Sequence, residues 1–371
     1  MQKLYKRLVS LMIAIFVISS IPIIASASEA VTSGSVNNSY RHYLEGDVDY
    51  SYTWKYYDND TLVILPSSYY LYINVNDLSD YMKTRFTSNT KITIDCSLNN
   101  ALMILGDDCP ASDLTFVGDD LSGFGLFDFH ELKSVNIDIN FAPSEYGHLV
   151  DAYLYNCGIT TLDIFEGEGY TLNVELRHAD KLTSIDVPEY VDYLYVFSGV
   201  LIETIKANYD LKYLYAYYLN SLKSVYVYGD ITWNLSIFDS PNLDIFEVTG
   251  DVGTISLTDV NLSHVTVPGN SKFFISSDSL TSATVESGRT YMCGGMFDGC
   301  INLKDVNIPD GVTEIYGSAF RNCSSLNSIV IPSSVNFICD DAFDGCTSLT
   351  DVYFQGSSEQ WESIEIHSGE H

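Results

Sequence analysis

The sequence predicts a β-rich fold of the α/β repeat kind, a right-handed superhelical solenoid of stacked parallel strands with little helix. Three observations carry that expectation. The C-terminal third repeats every 23 residues, a looser copy of the same apolar pattern runs back through much of the chain, and proline recurs at one position of it. Periods of this length mark architectures in which one small unit cannot bury its apolar face alone and stacks on its neighbours.

The repeat is read directly. Phe297-Asp298-Gly299-Cys300-Ile301-Asn302-Leu303 leads to Val306 and Ile308-Pro309. Phe320-Arg321-Asn322-Cys323-Ser324-Ser325-Leu326 leads to Ile329 and Ile331-Pro332, and Phe343-Asp344-Gly345-Cys346-Thr347-Ser348-Leu349 to Val352 and Phe354. The core pattern Leu-x-x-Ile/Val-x-Val/Ile continues upstream at Leu280, Leu262, Leu243, Leu222, Ile202, Leu182, Ile159 and Leu132. Its spacings are 18 to 23 residues, apart from one of 27 between Leu132 and Ile159. Leu114/Phe116 and Ile92/Ile94 read as degraded earlier copies.

Alternation such as Val225/Val227 or Ile329/Ile331 makes a short strand with one buried face, and successive copies stack in parallel about 4.8 Å apart. Pro188, Pro268, Pro309 and Pro332 follow these strands; lacking an N–H, proline ends the ladder and turns the chain. A second apolar pair follows in many coils, as in Val191/Leu194, Leu211/Leu214, Val252/Ile255, Val312/Ile315 and Val335/Ile338. These predict a second extended segment on the opposite side of each coil. In the longest coils, Ser318-Ala319-Phe320 and Asp341-Ala342-Phe343 are expected to form a single helical turn that tucks in one Phe per coil.

Stacking also reframes the eight cysteines. Cys300, Cys323 and Cys346 fall in one column, with Cys157 a candidate for the same site. Three residues in one column cannot all pair, and side chains in register point the same way, so buried free thiols are expected. Cys293 and Cys339 align two coils apart, beyond disulfide reach. Cys96 and Cys109 are left open.

Lys3, Lys6 and Arg7 precede an apolar run from Leu8 to Ile24, and Ala25-Ser26-Ala27 supplies a small-x-small site. This is the layout of a secretory signal peptide over 1–27. Beyond it the sequence suggests a flexible segment at 28–48, an N-terminal capping region at 49–90, a solenoid at 91–354 and a cap or tail at 355–371. The solenoid reads as irregular to 282 and regular from 283. The charge of −31 becomes −34 once residues 1–27, with three basic and no acidic side chains, are removed. Such a field repels nucleic acid and anionic membrane and suits cationic or neutral partners. The mature chain is expected to be extracellular, not inserted in membrane, and monomeric.

The consensus F-x-x-C-x-x-L-x-x-V/I-x-I-P, followed by V-x-x-I and A-F, resembles the BspA-like (treponemal-type) leucine-rich repeats of bacterial surface proteins. The match is close from about Gly294 to Phe354 and recognisable from about Leu132. Trp54 to Ile64, with Asp58-Asn59-Asp60 between alternating stretches, looks like the hairpin that opens many such arrays, and Val352 to Ile364 like their closing segment, with Trp361 over the last coil. The resemblance implies a secreted or surface-exposed interaction protein, often linked with adhesion, and carries no catalytic residues with it. Between about Leu132 and Ser282 the coils shorten and the Cys and Phe columns vanish.

That irregular middle holds the candidate site. Tyr193, Tyr213 and Trp233 recur at 20 residues, as do Tyr195 and Tyr215. Facing outward, they would form a column able to stack on sugars or protein chains; the other reading is that bulky aromatics simply suit strands. The alternation of Trp233 and Leu235 with Asn234 and Ser236 suggests reversed parity in that coil. Asp58/Asp60, Asp107/Asp108, Asp119/Asp120 and Asp340/Asp341 match no calcium loop and read as solvated turns, so no metal and no cofactor are expected. His130-Glu131 lacks the second His of a zinc protease, and no G-x-S-x-G, P-loop or C-x-x-C occurs. The expectation is a non-catalytic module binding an extracellular protein or glycan. The alternatives are a structural spacer without a ligand and, more remotely, a glycan-active enzyme.

Overall fold

The structure, a computed structural model, describes residues 32–42, 46–56, 60–66, 70–74, 90–96, 101–105, 109, 111–119, 121–140, 148–166, 169–199 and 201–367. The Leu-x-x-Ile/Val-x-Val segments form strands on one side of the coils, except that at Ile159-x-x-Leu162-x-Ile164 the strand is displaced to Phe165–Glu166, and the following apolar pairs form strands on the other side. Both sides propagate by parallel pairing. Ser184–Val187, Thr204–Ala207, Ser224–Val227 and Ile245–Val248 form one run, with Ile185, Ile205, Val225 and Phe246 in register. Opposite them lies a ten-stranded parallel sheet that starts at Tyr70–Asn74 and ends at Lys272–Ser276.

Between the two sides the inward residues make one continuous core, from Trp54 to Ala342. Leu194, Leu214, Leu235 and Ile255 form one fully buried column of it. Pro188, Pro268 and Pro332 each directly follow a strand, as expected of a residue that cannot extend the ladder.

At the corner after the second strand, one residue per coil adopts the left-handed region: Asp128, Asn156, His178, Ser198, Tyr218, Asp239 and Asp259 have φ between 49° and 61°. For non-glycine residues this conformation costs roughly 1–2 kcal/mol. The offsetting gain is visible in the backbone. The N–H of Asp128, Asn156 and Ser198 donates to the carbonyl of Tyr155, Arg177 and Tyr217 in the next coil, at 3.0, 2.9 and 3.0 Å. The turn thereby carries the ladder around the corner and leaves fewer backbone groups orphaned.

Several expected boundaries shift. Thr32–His42 is a strand paired antiparallel with Gly46–Tyr56, where the sequence suggested a flexible segment over 28–48. Its Ser- and Asn-rich composition gives no apolar period. Gly46–Tyr56 also pairs antiparallel with Thr61–Pro66, which then pairs parallel with Lys91–Asp95. Coil stacking therefore begins at Thr61 and not at 91, with the hairpin covering its first edge. At the other end Glu365–His367 pairs with Phe337–Cys339, so the stack runs past 354. A short helix, Ser358–Glu362, links the last two strands and is closed by a Ser357–Gln360 capping box. Trp361 packs on Phe354 at 5.4 Å. The expected signal segment at 1–27 lies outside the described residues. Among them, no helix is long and apolar enough to cross a membrane.

The regular coils use turns where a helical turn was expected. Ala319, Arg321 and Cys323 donate to the carbonyls three residues earlier, and the segment does not continue as helix. The turns still deliver the Phe column: Phe320 is fully buried between Phe297 and Phe343, with ring centroids at 5.5 and 5.1 Å. The thiol column is equally ordered. Cys157, Cys300, Cys323 and Cys346 direct Sγ at the carbonyls of Leu126, Ile275, Phe297 and Phe320, at 3.3, 3.3, 3.2 and 2.9 Å. Cys157 thus shares the site of the C-terminal three. None of the eight cysteines, Cys96 and Cys109 included, is joined in a disulfide.

Where the ten-stranded sheet stops after Ser276 and a new one starts at Tyr291, a buried arginine spans the seam. Arg289 donates to the carbonyls of Pro268 and Ser271 at 3.0 and 2.6 Å and contacts Cys293 Sγ.

Two outcomes follow from this packing. Phe320→Ala removes a ring stacked on both sides and should cost about 3–5 kcal/mol in chemical denaturation. Burial raises the thiol pKa of Cys109 to about 11, and of Cys157 and Cys300 to about 12, from 9.0. Unfolded thiols ionise near pH 9 while these stay protonated, so their contribution is whole below pH 9 and is lost as pH rises towards 12. Each unit of separation is worth about 1.4 kcal/mol. Denaturant midpoints under reductant should hold up to pH 9 and fall above it.

Candidate ligand-binding face

Parallel pairing places equivalent outward residues of the ten-stranded sheet in columns. Asp151, Asn173, Tyr193 and Tyr213 form the first. Tyr153, Glu175, Tyr195 and Tyr215 form the second, and Tyr155, Arg177, Phe197, Tyr217 and Phe238 the third. Tyr193, Tyr195, Tyr213 and Tyr215 all lie outward and partly exposed, while Leu194 and Leu214 between them are fully buried.

The rings touch across and along the coils. Tyr195 stacks with Tyr213 at 5.5 Å and meets Tyr215 at 6.2 Å; Tyr215 meets Tyr217 at 6.0 Å and Phe238 at 5.5 Å. Phe197 contacts both Tyr215 and Tyr217. The result is a continuous aromatic layer across strands Val191–Phe197, Leu211–Tyr217 and Ile231–Ser240.

Trp233 reaches this layer by a route its spacing does not show. Tyr213 pairs with Asn234, not with Trp233, because the register shifts between Ile231 and Asn234. Successive strands insert extra residues after their first inward position: Asp192, then Lys212, then Thr232 and Trp233, then Gly253. The bulge restores parity, so Leu235 and Ile237 are fully buried despite the alternation that suggested reversal. Trp233 is pushed out to 53% exposure and leans back two coils to meet Tyr193 edge-on, with ring centroids 5.8 Å apart. Asn234, in its place, donates to Tyr213 Oη at 3.2 Å. Gly253 permits the bulge: a Cβ there would lie 2.6 Å from the carbonyl oxygens of both Thr232 and Trp233.

Charge is arranged around the rings. Lys212 Nζ lies 2.7 Å from Asp192 and 5.5 Å from the Tyr193 ring centre, and hydrogen bonding to Asp192 raises its pKa. Arg177 lies 4.6 Å from the Phe197 centre and 2.5 Å from Glu175. The phenols of Tyr153, Tyr195 and Tyr215 are pushed up, chiefly by burial, with Asp151 and Glu175 adding to the effect at Tyr153. Tyr217 rises to about 12 through its hydrogen bond with Tyr218. Near neutral pH these hydroxyls therefore remain protonated donors.

Phe197, Tyr217 and Phe238 belong to the layer but were not singled out from the sequence. Their signal was present, since Phe197 and Tyr217 also recur at 20 residues and Phe238 follows at 21. Of the acidic pairs, Asp58, Asp107, Asp108 and Asp120 lie outside the described residues. Asp340 and Asp341 approach Cys339, and Asp341 accepts from Cys339 Sγ at 3.0 Å and Ser318 Oγ at 2.9 Å. On the opposite sheet His264 Nδ1 and Ser282 Oγ lie 2.9 Å apart, but the other imidazole nitrogen faces Thr284 at 3.5 Å and not a carboxylate. The pair is exposed on a flat strand, unlike an enclosed nucleophile–base site. A hollow of about 440 Å³ lies between strand Asp351–Phe354 and the short helix, lined by Val352, Phe354, Gly356, Ser357, Ser358, Trp361 and Glu362.

Residues 269–367 match the BspA type leucine rich repeat region, in six copies. The chain matches no curated protein. Among solved structures it is similar to a leucine rich cell surface protein from Faecalibacterium prausnitzii A2-165, at 15% identity over 90% of this chain and 98% of that one, with a TM-score of 0.31. It is also similar to a leucine-rich repeat protein from Eubacterium ventriosum ATCC 27560, at 13% identity, 91% and 94% coverage and a TM-score of 0.41. A third, a leucine-rich repeat protein from Bacteroides ovatus ATCC 8483, gives 17% identity, 86% and 89% coverage and a TM-score of 0.40.

The bulge yields a direct check. Gly253→Ala should destabilise the chain by about 1–3 kcal/mol through overpacking. It should also alter Trp233 emission, isolated by comparison with a Trp233→Phe background.

Proposed function

We propose that this chain, whose residues 269–367 are BspA-type leucine-rich repeats, is an extracellular binding protein of the cell surface. It engages a protein or glycan partner with the aromatic face of its ten-stranded sheet. The observation that carries this reading is the continuous layer of partly exposed rings from Tyr193 to Phe238, in mutual contact and open to solvent. Contiguous exposed apolar surface of this kind marks interaction sites, and tyrosine and tryptophan are enriched at them.

The rings are held by strands whose inward residues are fully buried, so the face is preorganised and loses little side-chain freedom on binding. Export is supported by the basic, apolar and small-residue succession of residues 1–27. The reading assigns no reaction to the chain.

Presenting the full chain to arrays of extracellular proteins and glycans tests the proposal. A saturable ligand is expected, with Tyr193→Ala/Tyr213→Ala weakening it by about tenfold, a loss near 1.4 kcal/mol. Unchanged binding by a correctly folded double variant would sink the assignment to this face. No saturable ligand on either array would favour a spacer role.

A further inference from the structure

The two basic side chains within the aromatic face show how it holds a cation. Arg177 and Lys212 each lie against a ring, Phe197 and Tyr193, and each is also paired with a carboxylate, Glu175 and Asp192. Both are about half exposed, at 50% and 45%. The arrangement thus forms at the solvent surface, where ring and carboxylate attract the same charge together.

The same ingredients recur beside these pairs. Tyr153, 42% exposed, lies near enough to Asp151 and Glu175 for both carboxylates to act on its phenol. The wider field has the matching sign, with 49 acidic against 18 basic residues in the chain. Such a field draws cationic partners and repels anionic ones.

Ring spacing suits an extended chain. Tyr195 and Tyr215, one coil apart, have centroids 6.2 Å apart, and same-side side chains of an extended peptide repeat at roughly 6.6 Å. Resting on the reading of this face as a binding surface, we propose that its partner is a protein segment bearing lysine or arginine. The segment runs across the coils, its cationic groups lying between the tyrosine faces and the carboxylates of Asp151 and Glu175. An uncharged glycan would use the rings but gain nothing from the net charge.

The test titrates the full chain with octalysine and octaarginine by calorimetry, with octaglutamate and cellohexaose as comparators. Basic peptides should bind and octaglutamate should not. Affinity should fall at least tenfold as ionic strength rises from about 0.05 to 0.5 M. Tyr195→Ala/Tyr215→Ala should weaken binding about tenfold, and Asp151→Asn/Glu175→Gln severalfold, with circular dichroism unchanged. Failure of both basic peptides to bind overturns the proposal. So does equal binding by the folded tyrosine variant, which would reduce the effect to bulk acidity. Salt-insensitive capture of cellohexaose, lost in the tyrosine variant, also overturns the basic partner while leaving the face a binding surface.

Discussion

The in-register parallel hydrogen-bond ladder between coils is the constraint on which everything else in this molecule depends. Once Ile185 pairs with Ile205 and Ile205 with Val225, every position in a coil lies about 4.8 Å from its counterpart. Each side chain must therefore pack against its own kind. Aliphatic columns meet that condition without strain, as do flat rings and small thiols. Charges meet it in two ways: Asp210 and Asp230 each accept from a backbone N–H of the next coil, and several of the scarce basic residues alternate with acids. Lys212 pairs with Asp192, Lys223 with Glu203 and Arg321 with Asp298, each one coil apart.

The same ladder explains why the corners accept left-handed residues that are not glycine. The local penalty recurs in successive coils, yet Asp128, Asn156, His178, Ser198 and Tyr218 each place an N–H where the next coil offers a carbonyl. Orphaned backbone groups at every corner of a long stack would cost more than the dihedral strain. Arg289 acts similarly at the seam between sheets, where its guanidinium takes up carbonyls left at the break.

The aromatic face arises where the ladder is locally relaxed. Inserting Asp192, Lys212, Thr232 and Trp233 after an inward residue widens each strand edge and lifts side chains clear of the sheet, while the buried columns keep their register. A face built this way is rigid beneath and varied above. The coils that carry it are the short ones, in which the Phe and Cys columns are absent.

Much of this was legible in the chain itself. The 23-residue period from Phe297 to Phe354, the recurrent prolines and the two apolar strands per coil follow from binary pattern and proline chemistry, both local properties. So does the outcome for the cysteines, because three equivalent positions in register cannot all pair. The strand at Thr32–His42 was not legible, since its composition carries no apolar period; nor were the start of stacking at Thr61 and its extension to His367, since pairing between distant strands decides where a stack begins and ends. Trp233 marks the boundary most clearly. Its 20-residue spacing from Tyr213 implies a shared column, but a bulge is a relation between two strands, set by the close approach of Gly253 to the carbonyls of Thr232 and Trp233. The sequence alone therefore determined which residues line the core and repeat. Only the tertiary structure decided which outward rings meet, because contact on the face depends on register between coils and register is not a property of any one segment.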